Sequence, residues 1–326
     1  MRTFLRDNSA KIIDGLSFGM INAIQLRGKA GSHDAETLQK YLSEMNKLSL
    51  EEFYAVPDSP QLDKMPGQGT FSCPSPVISG VKENDHLHLD IWLGPKGWES
   101  PAMFMLHGHM SVSDVGYRMW ARKLNKLGWT AIFFHLPYHY GRRPKGVLSG
   151  EMALTSHLIR TSEGLRQAVV ELRAVSRLLK QRGCPHLGLW ATSYGGWVAG
   201  LLMALEDCFS TAWLLEPIVD VDWAVWESPA TIVLRRQLRQ RGITREQVGQ
   251  LMAKLCPGFN TPLLPTERIL LLAGIFDRIA TPETIRGLHT KWKGSHYAEF
   301  RQGHVGYQLM PESLRMAQEK FPELFV

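Results

Sequence analysis

Residues 189–197 read Leu-Trp-Ala-Thr-Ser-Tyr-Gly-Gly-Trp, with an apolar run before the serine and a helix-like run after it. A serine carried on a sharp strand-to-helix turn needs small residues two before and two after it, because strand and helix pass too closely there for bulky side chains. Ala191 and Gly195 hold those positions, and Gly196 follows. Such a turn lifts the Ser193 hydroxyl off the sheet edge and aims the Tyr194 amide into the same space. Ser193 is therefore the candidate nucleophile and the Tyr194 N–H a candidate oxyanion donor. A serine hydroxyl needs a base, and the base needs a carboxylate to hold its tautomer. Asp277 stands at the end of the apolar run RILLLAGIFD, and His304 lies in the glycine-flanked stretch RQGHVGY. The order Ser193, Asp277, His304 is the one this topology requires, with Asp220 and Asp222 as alternatives for the acid.

A second constellation, His107-Gly108-His109 with Asp114 five residues on, has the look of a metal pair. A binuclear hydrolase needs its aspartate closer behind the second histidine and further ligands at set positions. Asp114 fails that spacing. His135 and His139 follow, but nothing downstream completes a ligand set. The expectation is no metal.

These residues are spaced by elements that alternate in type. Residues 1–60 are mostly helical in pattern, with a proline-punctuated exit. GTFSCPSPVISG and HLHLDIWLG lead as strands, followed by PAMFMLHG, WTAIFFHLP, HLGLWATS, TAWLLEP, RILLLAGIFD and HYAEFRQGH. Helical stretches separate them: VGYRMWARKLNKLG, SEGLRQAVVELRAVSRLLKQRG, YGGWVAGLLMALED, TPETIRGLHTKW and VGYQLMPESLRMAQEKF. The alternation predicts an α/β class with a mostly parallel central sheet flanked by helices. The interval between Pro217 and Arg268 breaks it and reads as an inserted helical cap at about 218–265. The expected organisation is a helical extension over 1–67 and a single α/β domain over 68–326.

Composition narrows the class. The 326 residues are 44% hydrophobic and 21% charged, which suits a globular protein and excludes disordered and fibrous ones. The formal charge of +6 is modest. The basic stretch RRQLRQRGITR carries no interleaved aromatics, so no nucleic-acid partner is expected. Four widely spaced cysteines without a CxxC pair suit a reducing compartment, and the N-terminus lacks a signal-peptide core, so the expected location is cytoplasmic. Nothing in the sequence supports contact with a membrane surface.

From about residue 70 onward the chain resembles the α/β-hydrolase superfamily, through HG at 107–108, ATSYGG at 191–196, GIFD at 274–277 and GHVG at 303–306. LPYHYGRRP (136–144) is similar to a loop of one abhydrolase subgroup with a Pro-Tyr…Gly…Arg…Pro pattern. The resemblance implies hydrolysis of an ester-type bond through an acyl-enzyme, without a cofactor. It also implies that a backbone N–H just after the His-Gly pair, that of His109 or Met110, shares the oxyanion with Tyr194. Met110 departs from the family, where many members have another glycine.

Tyr138, Tyr140, Trp197, Trp223 and Trp226 are candidates to line a substrate pocket, together with apolar cap residues such as Leu234. Arg142 and Arg143 are candidates for an anionic headgroup. The expected substrate is a small-molecule or lipid-like carboxylic ester. An amidase, peptidase or acyltransferase on the same triad is the alternative, and a binding protein that keeps the fold without catalysis is another.

Overall fold

The computed structural model describes residues 2–28, 31–57 and 60–325. Eight strands form one sheet in the order β1-β2-β4-β3-β5-β6-β7-β8. They are β1 (Gly69–Pro74), β2 (His86–Trp92), β3 (Ala102–Leu106), β4 (Thr130–Phe134), β5 (Leu187–Thr192), β6 (Phe209–Leu215), β7 (Ile269–Gly274) and β8 (His296–Phe300). β2 pairs antiparallel with β1 and β4, and every other pairing is parallel. Each residue of β3, β4 and β7 is buried, which explains why these strands are unbroken apolar runs and not alternating ones.

Helices cover both faces. After three N-terminal helices, α1 (Arg2–Gln25), α2 (Ala35–Lys47) and α3 (Leu50–Phe53), come α4 (Val115–Lys126), α5 (Leu158–Gln181) and α6 (Tyr194–Leu202). The interval between β6 and β7 holds α7 (Val221–Trp226), α8 (Ile232–Gln240) and α9 (Arg245–Leu255). Two more, α10 (Pro282–Lys291) and α11 (Leu309–Lys320), complete the set. Among the described residues no helix is long and apolar enough to cross a membrane.

The first helices are not a detached appendage. Asn22 of α1 donates to the Pro229 carbonyl and accepts from the Val233 amide, both at 2.9 Å. Gln237 of α8 donates to the Gln25 carbonyl at 2.9 Å, and Gln247 of α9 to that of Ala35 at 3.3 Å. Helices separated by some two hundred residues of chain thus form one roof over the carboxyl ends of the strands.

Two element boundaries differ from the sequence pattern. α5 starts four residues earlier than expected because the His157 side chain accepts from the Arg160 amide and caps its first turn. α11 starts at Leu309, not Val305, because the amides of His304 and Val305 are taken by the Asp14 carboxylate.

Arg142 does not face a ligand. It is fully buried, with its two Nη atoms on the two Glu171 carboxylate oxygens at 2.7 Å each, and it also donates to the carbonyls of His135 and Asn84. A bare guanidinium would be too costly to bury, so the pair comes as a unit and pins the loop after β4 onto α5. Arg143 is exposed and donates to the Val147 carbonyl. The basic stretch at 235–245 is also largely spent inside the molecule: Arg245 pairs with Asp222 and Glu227, Arg241 donates to Ser156, and Arg235 caps carbonyls of Val225 and Ser228. Removing one partner of the buried pair, as in Glu171→Ala, is expected to cost about 3–5 kcal/mol of stability in urea unfolding, because it leaves the Arg142 charge uncompensated.

Candidate active site

Every described non-glycine residue with positive φ sits just beyond the carboxyl end of a strand. They are Met110 after β3, Tyr138 and Tyr140 after β4, Ser193 after β5 and Glu216 after β6. Such conformations cost about 1–3 kcal/mol each and persist only where packing over-determines them. Ser193 is at φ 52° and ψ −111°, directly between β5 and α6. Its amide donates to the Leu215 carbonyl at 2.8 Å, and its own carbonyl accepts from the Trp197 amide at 3.0 Å. A Cβ on Gly195 would lie 2.5 Å from the Leu106 carbonyl oxygen, and one on Gly196 would lie 2.8 Å from Pro217 Cβ. The two glycines therefore let α6 settle directly against the ends of β3 and β6, and that fit holds the turn in its strained form.

The structure brings the three sequence candidates together. His304 Nε2 is 2.8 Å from Ser193 Oγ, and its Nδ1 is 2.7 Å from Asp277 Oδ2. With Nδ1–H donating to the carboxylate, Nε2 is left to accept from the serine hydroxyl. The other Asp277 oxygen accepts from the amides of Ile279 and Ala280 at 2.7 and 3.0 Å, so the carboxylate is fixed in place. Asp220 instead caps α7 through the Trp223 amide, and Asp222 pairs with Arg245. Neither reaches the histidine.

Burial works against a charged His304, but the neighbouring charge of Asp277, its hydrogen bond and the charge of Asp14 outweigh that, and the imidazole pKa is raised above its ordinary value.

Glu216 was not singled out by sequence, where it reads only as the last residue of an apolar strand. It is buried, its Oε1 accepts from Gln302 Nε2 at 2.9 Å, and its donor atoms lie within 4.8 Å of those of Asp277 and His304. Burial first, then the charge of Asp277, push its pKa well above the carboxylate range. Both His304 nitrogens are already committed to hydrogen bonds, which makes this grouping one of acid–base partners.

The imidazoles of His107 and His109 diverge. His107 Nε2 accepts from the Leu136 amide at 3.1 Å and its Nδ1 donates to the Gly108 carbonyl. His109 Nε2 donates to the Gly150 carbonyl at 2.9 Å, while Asp114 pairs with Arg118. Burial pushes the His107 pKa down to about 3 and that of His109 to about 4, so both rings are neutral scaffolding. The amide of Met110 donates to His139 Nε2 at 3.3 Å and is thereby occupied. Among the described residues the amides of His109 and Tyr194 have no acceptor in the protein, as expected of the first turn of a helix in the case of Tyr194. A Cβ on Gly108 would be 3.6 Å from Ser193 Cβ, so this loop lies against the serine.

Above the serine is a cavity of about 550 Å³ reached by Ser193, His304, Gly108 and His109. Its walls come from α1 (Met20, Ile21), from Trp197 and from the helices between β6 and β7, among them Leu234, Leu251 and Met252. No Asp, Glu, Lys or Arg is among its described lining residues. Of the aromatic candidates only Trp197 lines it, with its indole N–H donated to the Leu255 carbonyl. Tyr138 is buried against Gly164 of α5, and Tyr140 holds the Ser111 hydroxyl at 2.5 Å. Trp226 is buried in the core and Trp223 is half-buried on α7. The residues of α1 that line the cavity had no signal in the sequence, because only the folded roof brings them over β5.

No family model matches the chain. A stretch of 195 residues, 59% of the chain, is 27% identical to an uncharacterized protein of Mycobacterium tuberculosis, of which it covers 45%. The chain spans about half the length of the curated relatives it matches. Among solved structures, acetyl xylan esterase 1 from Thermoanaerobacterium superposes with a TM-score of 0.59 at 15% identity, covering 85% of this chain and 94% of that one. A thermophilic esterase from Thermogutta terrifontis gives 0.54 at 15% identity over 80% and 96%. A puromycin-hydrolyzing peptidase of Mycobacterium tuberculosis gives 0.55 at 16% identity over 77% and 38%. The chain has the α/β-hydrolase fold. At the carboxyl ends of its strands Ser193, His304 and Asp277 stand hydrogen-bonded in series.

Two outcomes follow from this geometry. General-base catalysis needs neutral His304, so the acid limb of kcat/KM should lie above the ordinary histidine value, with activity falling about tenfold per pH unit below it. Gly195→Ala should cost at least about 100-fold in kcat by displacing the elbow from the Leu106 carbonyl, with the far-ultraviolet circular dichroism unchanged.

Proposed function

We propose that the protein is a serine hydrolase that cleaves a carboxylic ester with an uncharged, apolar acyl group. The observation that carries this reading is the Ser193–His304–Asp277 chain of hydrogen bonds at the floor of a cavity without ionised walls. Ser193 Oγ attacks the ester carbonyl carbon as its proton passes to His304 Nε2. The resulting oxyanion accepts from the His109 and Tyr194 amides, each worth about 3–4 kcal/mol in the transition state. Collapse of the tetrahedral intermediate breaks the carbon–oxygen bond, and the leaving alkoxide takes the proton from His304. A water, deprotonated by the same nitrogen, then attacks the acyl-enzyme and releases the carboxylic acid, restoring the Ser193 hydroxyl. Asp277 keeps Nδ1 protonated throughout and stabilises the imidazolium.

The lining supports an ester over a peptide with a free amino terminus. An ammonium group brought into this cavity would be desolvated without a carboxylate to receive it. Trp197, Leu251 and Met252 form the acyl wall in this reading. The four free cysteines fit the reducing cytoplasm as its location.

A fluorophosphonate probe is expected to label the wild type and not Ser193→Ala. Hydrolysis of p-nitrophenyl esters should improve with chain length until the cavity is full, and amide analogues with a free amino terminus should be poor substrates. Labelling that survives in Ser193→Ala would remove the nucleophile, and a flat chain-length response would remove the acyl pocket.

A further inference from the structure

Among the described residues, Asp14 is the one residue of α1 whose side chain reaches the histidine loop with a charge. It lies in the middle of the helix, 290 residues before His304 in the chain, and only 1% of it is exposed. One carboxylate oxygen accepts from the His304 amide at 2.7 Å and the other from the Val305 amide at 3.0 Å. The loop is shaped to receive it: a Cβ on Gly303 would lie 2.4–2.5 Å from the Asp14 carboxylate carbon and both its oxygens. Gly303 has no positive φ, so the reason for glycine here is close approach and not backbone freedom.

The arrangement costs more than a structural cap requires. Among the described residues no cation pairs with Asp14; burial and the charge of Asp277 raise its pKa, and the two peptide amides and His304 pull it back. A neutral acceptor could satisfy two amides without burying a charge. A carboxylate does something else here, because the imidazole whose own amide it grips becomes cationic during the reaction. On the same face of α1, one to three turns on, Ser17, Ile21 and Gln25 line the cavity. One helix thus touches both the substrate space and the base.

We propose that Asp14 is a positioning residue: by clamping the His304 and Val305 amides it sets the imidazole in line with Ser193 and makes α1 part of the catalytic apparatus. The proposal rests on the serine-hydrolase reading only for what His304 does. The groups facing His304 are Asp277, Asp14, Glu216 and His109, with Lys11 and Arg301 close by over the Phe276 ring. Asp14 is the one of these, apart from Asp277, whose charge acts directly to raise the imidazole pKa.

The test is an NMR titration of the His304 ring in the full chain, its signal identified by loss in His304→Gln, with no substrate required. In Asp14→Asn the ring is expected to titrate about half a pH unit or more lower than in the wild type. Hydrolysis of p-nitrophenyl butyrate should lose about 10- to 100-fold in kcat, and KM should stay within about twofold. Asn22→Ala, which loosens α1 from the inserted helices without touching the loop, should leave the His304 titration in place. An unchanged titration with full kcat in Asp14→Asn overturns the proposal, as does an Asn22→Ala variant that shifts the titration equally. Should Asp14→Asn fail to fold, Asp14→Ser keeps an acceptor, removes the charge and is judged by the same titration. Absence of ester turnover in the wild type would count against the serine-hydrolase reading, while the titration still decides the role of Asp14.

Discussion

The structure depends on one tight place, where α6 leaves β5. Ser193 occupies a backbone conformation that a side chain disfavours, and it stays there because Gly195 and Gly196 let the helix press on the carbonyl of Leu106 and on Pro217. The cost of the strained turn, of order 1–3 kcal/mol, is offset by the buried sheet around it. The other strained residues, Met110, Tyr138, Tyr140 and Glu216, stand at the ends of the flanking strands. The sheet is rigid, so each carboxyl end can hold a side chain or an amide in a conformation a free chain would abandon.

A second theme is the placing of three acids around one imidazole. Asp277 accepts the hydrogen bond from His304 Nδ1–H, burial and the charge of Asp277 push the Glu216 pKa upward, and Asp14 holds the loop through the His304 and Val305 amides. Their roles follow from surroundings and not from residue type. Asp277 is held by two amide donors and the histidine, whereas Glu216 has a single amide side chain beside it and the repulsion of its neighbour. The roof then supplies apolar walls, with α1 contributing to both cavity and loop.

Much of this was legible in the sequence. Buried strands announce themselves as unbroken apolar runs, and glycines beside a serine or a histidine mark turns, so the sheet and the Ser193 and His304 positions could be read directly, whereas Asp277 stood beside Asp220 and Asp222 as candidates for the acid. Contacts that close only through tertiary packing could not. Asp14 sits in a helix with no nearby partner in sequence, and Glu216 ends an apolar strand, where its carboxyl carries no pattern of its own. Arg142 could be read as a candidate for an anionic headgroup because its counter-ion, Glu171, lies on a helix that is remote in the chain. Aromatic residues near the site in sequence were expected in the pocket, yet Tyr138, Tyr140, Trp223 and Trp226 are absent from its lining, since side-chain direction at a strained loop cannot be deduced from residue type. The surroundings of the His109 and Met110 amides also involve a remote group: among the described residues His139 accepts from the Met110 amide, while the His109 amide has no protein acceptor.

The central claim is that Ser193 forms an acyl-enzyme. Rapid acid quenching of the protein with p-nitrophenyl butyrate, followed by peptide mass spectrometry, tests it most directly. A butyryl adduct is expected on the peptide containing Ser193, appearing within one turnover and decaying with deacylation. Turnover without that adduct, or an adduct confined to another residue, would contradict it.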